Sequence, residues 1–505
     1  MRRLIKAFGH LLAPTSKRFY AELENPQQAQ FRVQQRLVNQ LKRCEYGKKH
    51  KIREVADWTK LPIVDYEEVE PWIARSKHES NILTTKPILF YEPTSGSSGP
   101  IKQIPYTRSL RRSFNRLFCI WAYDLIQHGP DLSNGKLYFS ITPSFTKAET
   151  TAGTTTTDDS DYLDVWIRWL LKPFLVLAPP TQTPEDFQDA LAQTLLLAEK
   201  LEIVSIWSPS FLTAQLDYIQ THQHRLHALL NKRLSQARAE LLLQPSINWA
   251  ALWPNLKLLS CWDSVTAADG ADSLRTYFPN ALVQGKGLLA TEAPITVPLL
   301  AAKGFVPLLE DVYFEFEDSE GHCYELHQLK AGHTYAVIIS QMGGLYRYRL
   351  GDFVRVTHYY RQTPCLEFCG RGNQVSDLTG EKLHVQFVSD VLSQLNISEA
   401  RFQSLVPVRQ PSDHYVLLLD RCNGDLDAIA HQLEDSLCQS YHYQLARQLG
   451  QLSPVKVIAS PTIAKQLSDK KATFGQRWGD VKHTKLSTQC YDELNFLSKP
   501  IEIPS

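Results

Sequence analysis

No run of 18 or more apolar residues occurs in the sequence, so no segment reads as a membrane-spanning helix. No C-x-x-C pair occurs either. Nine cysteines are scattered from Cys44 to Cys490, and the closest two, Cys365 and Cys369, have no second cluster beside them. Such usage implies reduced, mostly buried thiols in a cytoplasmic protein, with a zinc site as the weaker alternative. Neither sign of charge is in excess: 54 Lys plus Arg stand against 53 Asp plus Glu. A general nucleic-acid binder would carry a basic surplus, so no nucleic-acid partner is expected. The absence of a G-x-S-x-G elbow removes a Ser-His-Asp hydrolase, and there is no G-x-x-x-x-G-K-[ST] phosphate loop. No internal repeat is present. The N-terminus, MRRLIKAFGHLLAP, is basic and then apolar but lacks the long apolar core and cleavage site of a secretory signal. Leu4, Phe8, Leu11 and Leu12 recur at helical spacing, which favours an amphipathic helix docked on the body over a membrane-surface helix.

What is present is an ordinary globular composition, 43% hydrophobic, 21% charged and 10% aromatic, in 505 residues, too long for one core. Residues 1–60 read as helical, with Phe31, Val33, Leu37, Val38 and Leu41 roughly on one face. A strand, PILFYEP (87–93), runs into the turn-forming TSGSSGP. A helix follows near 108–128, with Leu110, Phe114, Leu117, Phe118 and Trp121 at steps of three and four. The Thr-rich stretch 146–162 reads as a surface loop in preference to a lid. Apolar runs at 175–179 and 203–210 flank a helical pattern from Glu185 to Lys200, the alternation of an α/β body. Alternating segments at 310–317, 333–340 and 352–360 indicate a β-rich subdomain over 295–370. The C-terminal part reads as a small α+β domain, with strands at 415–420 and 455–460 around a polar helix at 424–450. The expected division is a large domain over 1–372 and a small mobile lid domain over 373–505, with the boundary near 371–380.

Four segments carry polar chemistry. The first is Thr94-Ser95-Gly96-Ser97-Ser98-Gly99-Pro100-Ile101-Lys102. Its glycines let backbone N–H groups approach an anion, its hydroxyls can donate to phosphate oxygens, and Lys102 adds a positive charge. An ordinary Ser/Gly-rich turn would look similar. The second segment is Gly285-Lys286-Gly287-Leu288-Leu289-Ala290-Thr291-Glu292. The third is Gly344-Leu345-Tyr346-Arg347-Tyr348-Arg349-Leu350-Gly351-Asp352, in which Gly351 permits a tight turn. The fourth is Gly370-Arg371-Gly372-Asn373, followed by Gly380-Glu381-Lys382-Leu383. Elsewhere, Trp207-Ser208-Pro209-Ser210 either lines an acid pocket or is a plain strand-to-helix turn. His222, His224 and His227 read as a solvated helix face.

In this order the segments resemble the signature of the adenylate-forming superfamily. T-S-G-S-S-G-x-x-K is similar to its phosphate loop, Thr291-Glu292 to its aromatic-x-x-Thr-Glu element, Tyr348-Arg349-Leu350-Gly351-Asp352 to its Tyr-Arg-x-Gly-Asp motif, and Gly370-Arg371 to its hinge. Leu288 stands where that pattern has an adenine-stacking aromatic residue, and Asn373 replaces the hinge Asp. "GLYRYRLGD", "EKL", "KQIPYT" and "GQRWGDVKHTKL" resemble one branch, the auxin-responsive acyl acid amido synthetases (the Gretchen Hagen family), over about residues 85 to 490. The compact chain and shorter phosphate loop look more like its bacterial members.

The resemblance implies ATP and Mg²⁺ as cofactors, a small carboxylic acid and an amino acid as substrates, and amide formation through acyl-AMP. It implies that Glu292 is a catalytic residue and metal ligand. It implies that Thr94, Ser95, Gly96, Ser97, Ser98, Gly99, Lys102 and Thr291 bind phosphate, with Asp352 and Arg371 on the ribose or phosphate. Lys482 is implied as the catalytic lysine of the C-terminal domain, with Lys485 as a rival. An acyl-CoA ligase and a non-catalytic nucleotide-binding protein are the alternatives.

Overall fold

The computed structural model describes residues 2–93, 102–133, 135–139, 172–179, 184–318, 320–371, most of 375–472 and, beyond that, 484–488, 490–491 and 494. The Thr-rich stretch 146–162 lies outside them. The described residues form two compact units, one ending at Cys369 and one beginning at Gly370.

The first unit opens with the helix Arg2–Glu22, which buries Leu12 and Phe19 and packs against the helix Arg108–His128. Only part of the expected apolar stripe is docked, because Leu4 and Leu11 remain 60% and 59% exposed. In the next helix, Pro26–Leu41, Val33, Leu37, Val38 and Leu41 are buried but Phe31 is not. Phe31 lies two positions from Val33, which turns its side chain about 200° away from that face. The helix Arg108–His128 is capped by Thr107, whose hydroxyl accepts from the Leu110 N–H at 3.4 Å.

Two strands, β1 (Ile88–Pro93) and β2 (Gln103–Thr107), form an antiparallel hairpin ahead of that helix. The α/β part is a parallel sheet in the order β4-β3-β5-β6-β7, from Lys136–Phe139 (β3), Leu175–Val176 (β4), Leu201–Ser205 (β5), Leu258–Cys261 (β6) and Leu282–Gly285 (β7). β5 and β6 are buried along their whole length, as strands covered on both faces must be. Two hairpins follow. Leu289–Ala290 (β8) pairs with Ala293–Pro294 (β9), and Thr296–Leu299 (β10) with Gly304–Pro307 (β11).

The β-rich part is a five-stranded sheet in the order β13-β12-β14-β15-β16, from Val312–Glu317 (β12), Cys323–Glu325 (β13), Thr334–Gln341 (β14), Leu345–Tyr360 (β15) and Thr363–Arg371 (β16). Here the structure corrects the sequence reading. The expected tight turn at Gly351 lies inside one 16-residue strand. Between the pairs Ile338↔Arg349 and Ala336↔Phe353, β15 advances four residues while β14 advances two. The surplus is a bulge, with Gly351 at a φ of +81°.

In the second unit, Val375–Ser376 (β17) pairs with Leu383–His384 (β18). Gln403–Val408 (β19) lies antiparallel to His414–Leu419 (β20), which pairs in parallel with Lys456–Ala459 (β21). The single polar helix expected over 424–450 is two, Leu426–Leu437 and Tyr441–Gln448. Glu381 is fully buried and accepts from the Leu378 and Thr379 N–H groups at 2.7 and 2.8 Å and from the Tyr415 hydroxyl. All nine cysteines are free thiols. Among the described residues no helix is long and apolar enough to cross a membrane.

One buried ion pair fixes the first unit's long strand. Arg347 and Glu315 are 8% and 7% exposed. Arg347 Nε lies 3.1 and 3.0 Å from the two Glu315 oxygens, and Nη2 lies 2.9 Å from Oε1. Arg347 Nη1 donates to the Leu61 carbonyl at 2.7 Å, and Trp58 Nε1 donates to Glu315 at 3.1 Å. Arg347 holds a left-handed φ of +48°, a conformation that costs about 1–2 kcal/mol in a non-glycine residue. Replacing Glu315 by Leu should therefore destabilise the protein by about 3–5 kcal/mol, because a charged Arg347 is left buried without its partner. Adding Arg347→Met should restore much of the loss, read as the shift in denaturation midpoint of single and double variants.

Candidate active site

The Ser/Gly-rich loop, Thr94–Pro100, lies outside the described residues, but both of its ends are in place. Pro93 pairs with Gln103 across the β1–β2 hairpin. Lys102, at the foot of β2, holds its ammonium 5.4 Å from the centre of the Tyr66 ring. The Tyr66 hydroxyl accepts from the Gln103 N–H at 2.8 Å. Tyr66 opens the helix Tyr66–Ser76, whose start is fixed by a reciprocal cap between Asp65 and Glu68.

Thr291 and Glu292 are the two residues of the turn between β8 and β9, since Ala290 pairs directly with Ala293. The Thr291 carbonyl accepts from the Tyr106 hydroxyl at 2.7 Å. Tyr106 is fully buried on β2, so this bond ties the Thr-Glu turn to the strand that leaves the Ser/Gly-rich loop. Glu292 is only 9% exposed. Burial pushes the phenols of Tyr348 and Tyr66 above their ordinary range, and the negative charge of Glu292 pushes both further. Glu292 is thus near enough to Tyr66 and Tyr348 for its charge to act on both, and Lys102 lies over the Tyr66 ring. Sequence reading had singled out Lys102 and Glu292 without the tyrosines around them. Only tertiary pairing brings Tyr66, Tyr106 and Tyr348 there, though Tyr348 and Tyr106 sit inside the quoted motifs "GLYRYRLGD" and "KQIPYT".

The approach to the turn needs a glycine. Gly287 has a φ of +70°, and a Cβ there would stand 2.5 Å from Thr296 Oγ1. That hydroxyl instead accepts from the Leu288 N–H at 2.8 Å. Leu288 itself is 7% exposed and packs in the hydrophobic core, so it does not take the place of a stacking ring.

Asp352 follows the β15 bulge and is fully buried. Tyr348 is on the same strand and bridges to Val64, with the Arg349 N–H donating to the Val64 carbonyl at 2.9 Å. Arg349 pairs with Glu317, Nε to Oε2 at 3.1 Å and Nη2 to Oε1 at 2.9 Å. Arg371 ends β16 and is exposed. Lys482 lies outside the described residues, as do Gly372 and Asn373. Lys485 belongs to the second unit, where its ammonium donates to Gln403 Oε1 at 3.3 Å and its carbonyl accepts from the Leu405 N–H at 2.8 Å.

At the C-terminal ends of the parallel strands stands Lys286, the residue after β7, to which sequence reading gave no role. It donates to Ser205 Oγ at 2.7 Å and lies 5.2 Å from the Trp207 ring and 5.9 Å from the Phe139 ring. Trp207 in turn packs on Trp262, with ring centres 5.7 Å apart.

Tyr106→Phe should lower stability by about 1–3 kcal/mol, the cost of leaving the Thr291 carbonyl without its buried donor. A denaturation midpoint unchanged from the parent would show that the bond does not hold the turn.

Three stretches of the chain match family domains in order: the GH3 family N-terminal domain over residues 15–283, the central domain over 305–371 and the C-terminal domain over 383–490. A probable indole-3-acetic acid-amido synthetase of Arabidopsis thaliana is 24% identical over 413 residues, 71% of this chain and 70% of that protein. A jasmonoyl–L-amino acid synthetase of Nicotiana attenuata is 24% identical over 430 residues, 72% and 73% of the two chains. The fold is similar to that of an acyl acid amido synthetase, AtGH3.15, solved in complex with 2,4-DB, with a TM-score of 0.77 at 20% identity over 97% of this chain and 95% of that one. With the N-terminal model alone matching more than half of its residues, the chain belongs to the GH3 family.

Proposed function

We propose that this protein adenylates a carboxylic acid with ATP and transfers the acyl group to the amine of an amino acid. The observation that carries this reading is the Thr291-Glu292 turn, tied by Tyr106 to β2, at whose foot Lys102 stands over the Tyr66 ring. The indole-3-acetic acid-amido and jasmonoyl–amino acid synthetases among its relatives support the choice of acceptor.

In the first step a carboxylate oxygen attacks the α-phosphorus of ATP. The bond from that phosphorus to the bridging oxygen breaks, and pyrophosphate leaves with the electron pair. Two anions must meet, so the site must neutralise charge before the reaction begins. The N–H and hydroxyl groups of Thr94, Ser95, Gly96, Ser97, Ser98 and Gly99 cradle the phosphates, Lys102 adds positive charge at the end of the loop, and Thr291 donates to a phosphate oxygen. Asp352 takes the ribose hydroxyls, and Arg371 faces the ribose or phosphate. In the second step the amine nitrogen attacks the acyl carbon, the carbon–oxygen bond to AMP breaks, and the amine loses a proton to leave an amide.

Mg²⁺ fits the residues present. It demands oxygen ligands and keeps water and phosphate in its shell, so one or two carboxylates suffice. Glu292 supplies one within a nest of phenols, and among the described residues no three His, Cys, Asp or Glu side chains converge into a cage. When bound, the ion offsets the charge of the phosphates, and Glu292 would hold it.

Lys482 is assigned as the catalytic lysine in preference to Lys485, whose ammonium is engaged by Gln403 within its own unit. The division at 372/373 and a cytoplasmic location, on nine free thiols, belong to the same reading. So does placement with the compact bacterial members of the family, on the shorter phosphate loop. An acyl-CoA ligase would share the first step and differ in its acceptor. A 2-hydroxyisobutyryl-CoA ligase aligns at a TM-score of 0.54 and 14% identity over 92% of this chain and 89% of that one.

The test is pyrophosphate release with ATP and a panel of acids, followed by mass spectrometry of products formed with amino acids or with coenzyme A. Release, an amide product and a loss of about 10²–10³-fold in Glu292→Ala are expected. Lys482→Ala should slow adenylation far more than it weakens ATP binding. Release at the parent rate from both variants would sink the mechanism.

A further inference from the structure

The helix Arg2–Glu22 carries apolar residues on two sides. Its buried side, with Leu12, Ser16 and Phe19, is docked on the body. A second apolar row, Leu4, Ala7, Leu11 and Pro14, keeps the three-and-four spacing of one helix face and is exposed at every position. Beside it run Arg3, His10 and Lys17 at seven-residue steps, also exposed, with exposed Lys6 next to them. No Asp or Glu occurs before Glu22, although the whole chain is balanced in charge. Arg2 is paired with Asp131, and Arg18 with Glu310. Arg3, Lys6, His10 and Lys17 take part in no ion pair among the described residues.

The apolar row does not stop at the surface. Leu4, Ala7 and Leu11 also line a cavity of about 820 Å³ that lies beneath the helix, against the helix Arg108–His128 and β3. Among the described residues of its wall only Lys172 is charged, and side chains such as Phe8, Phe118, Trp121 and Leu125 build it. Exposed leucines backed by an apolar hollow suit a deformable apolar phase, which can follow both. A second copy of this chain fits poorly. A two-fold contact on this row would set the same basic row of each copy against the other, and like charges brought together oppose association. A bilayer with anionic headgroups satisfies both rows at once. Its acyl chains cover the leucines, and its headgroups meet the cations, whose long stems carry the charge up to headgroup level. Among the described residues no helix is long and apolar enough to cross a membrane, so the helix would lie on the surface and not span it.

We propose that this protein attaches reversibly to anionic lipid bilayers through its N-terminal helix. Leu4, Ala7, Leu11 and Pro14 enter the boundary between headgroups and acyl chains, and Arg3, Lys6 and Lys17 bind the headgroup phosphates. The attachment does not depend on the adenylation reading.

The test is co-sedimentation of the full-length chain, tagged only at its C-terminus, with two kinds of vesicle. One is phosphatidylcholine alone, and the other is equal parts phosphatidylcholine and phosphatidylglycerol. The parent should sediment with the anionic vesicles and stay in solution with the neutral ones, and high salt should release much of it. Arg3→Gln, Lys6→Gln and Lys17→Gln should each weaken binding roughly fivefold. Leu4→Glu combined with Leu11→Glu should weaken it by about tenfold or more. These two leucines are 60% and 59% exposed, so the denaturation midpoint of the double variant should match the parent's. Leu229→Glu, at a leucine 55% exposed in the helix Gln223–Leu230, should bind as the parent does. Failure to sediment with the anionic vesicles at low salt overturns the proposal. So does binding that the Leu4/Leu11 double variant retains, or that Leu229→Glu loses to the same degree. Equal binding to both kinds of vesicle, untouched by the three Gln variants, overturns the role of the basic row. A dimer in light scattering that the Leu4/Leu11 double variant abolishes, with no lipid binding by the parent, gives the row to a second copy instead.

Discussion

Arg347 meets Glu315 through the Nε and Nη2 edge of its guanidinium, and most of what positions the candidate site depends on that meeting. The pair joins β12 to β15 and, through Leu61 and Trp58, fastens both strands to the segment that precedes the helix Tyr66–Ser76. Beside Arg347, the neighbouring Tyr348 bridges to Val64. Tyr66, only two residues past Val64, is thereby carried to Lys102. A left-handed arginine in mid-strand would be unfavourable in isolation. Here the local cost is offset by a charge-assisted network, which places the strain next to the proposed chemistry, where such strain is commonly found.

Local pattern made much of the fold legible. The helix Arg108–His128 follows from its apolar steps and its Thr107 cap, and the strands of the parallel sheet from short apolar runs between helical stretches. What failed did so for identifiable reasons. Gly351 and Asp352 have the residue types of a turn, but their neighbours on β14 continue the ladder on both sides, so the surplus became a bulge within one strand. Leu4 and Leu11 have the right period to be docked, but among the described residues no element covers them enough to bury them. The helical pattern of 424–450 conceals a break at Cys438, Gln439 and Ser440, a segment with no glycine or proline to mark it.

The candidate site was legible in a different way. Its carboxylates, lysines and Ser/Gly-rich loop were read from order along the chain and from family likeness. The tyrosines around those groups come from long-range pairing; Tyr106 and Tyr348 sit inside quoted motifs, but their local sequence does not say what they meet. Tyr106 reaches Thr291 across 185 positions of sequence. Lys286 was visible in a quoted segment, but its setting depends on Phe139 at the end of β3 and on Ser205 and Trp207 at the end of β5. Glu381 is the opposite case. The Glu-Lys-Leu signature already pointed to it, and its buried carboxylate shows why a shorter or neutral residue would not serve: it satisfies two N–H groups and a phenol at once.

The two-residue turn that carries Thr291 and Glu292 has a consequence for how this chain can vary in length. The β8–β9 ladder is only two pairs long, Leu289 with Pro294 and Ala290 with Ala293. Inserting or deleting one residue there would leave no alternative register with pairs to hold it, and a slip by one would turn the side chains to the opposite face. Length differences among homologues should therefore be absent between Gly287 and Pro294 and should accumulate in connections outside it. A homologue with an indel inside that interval would be one in which the carboxylate had lost its place.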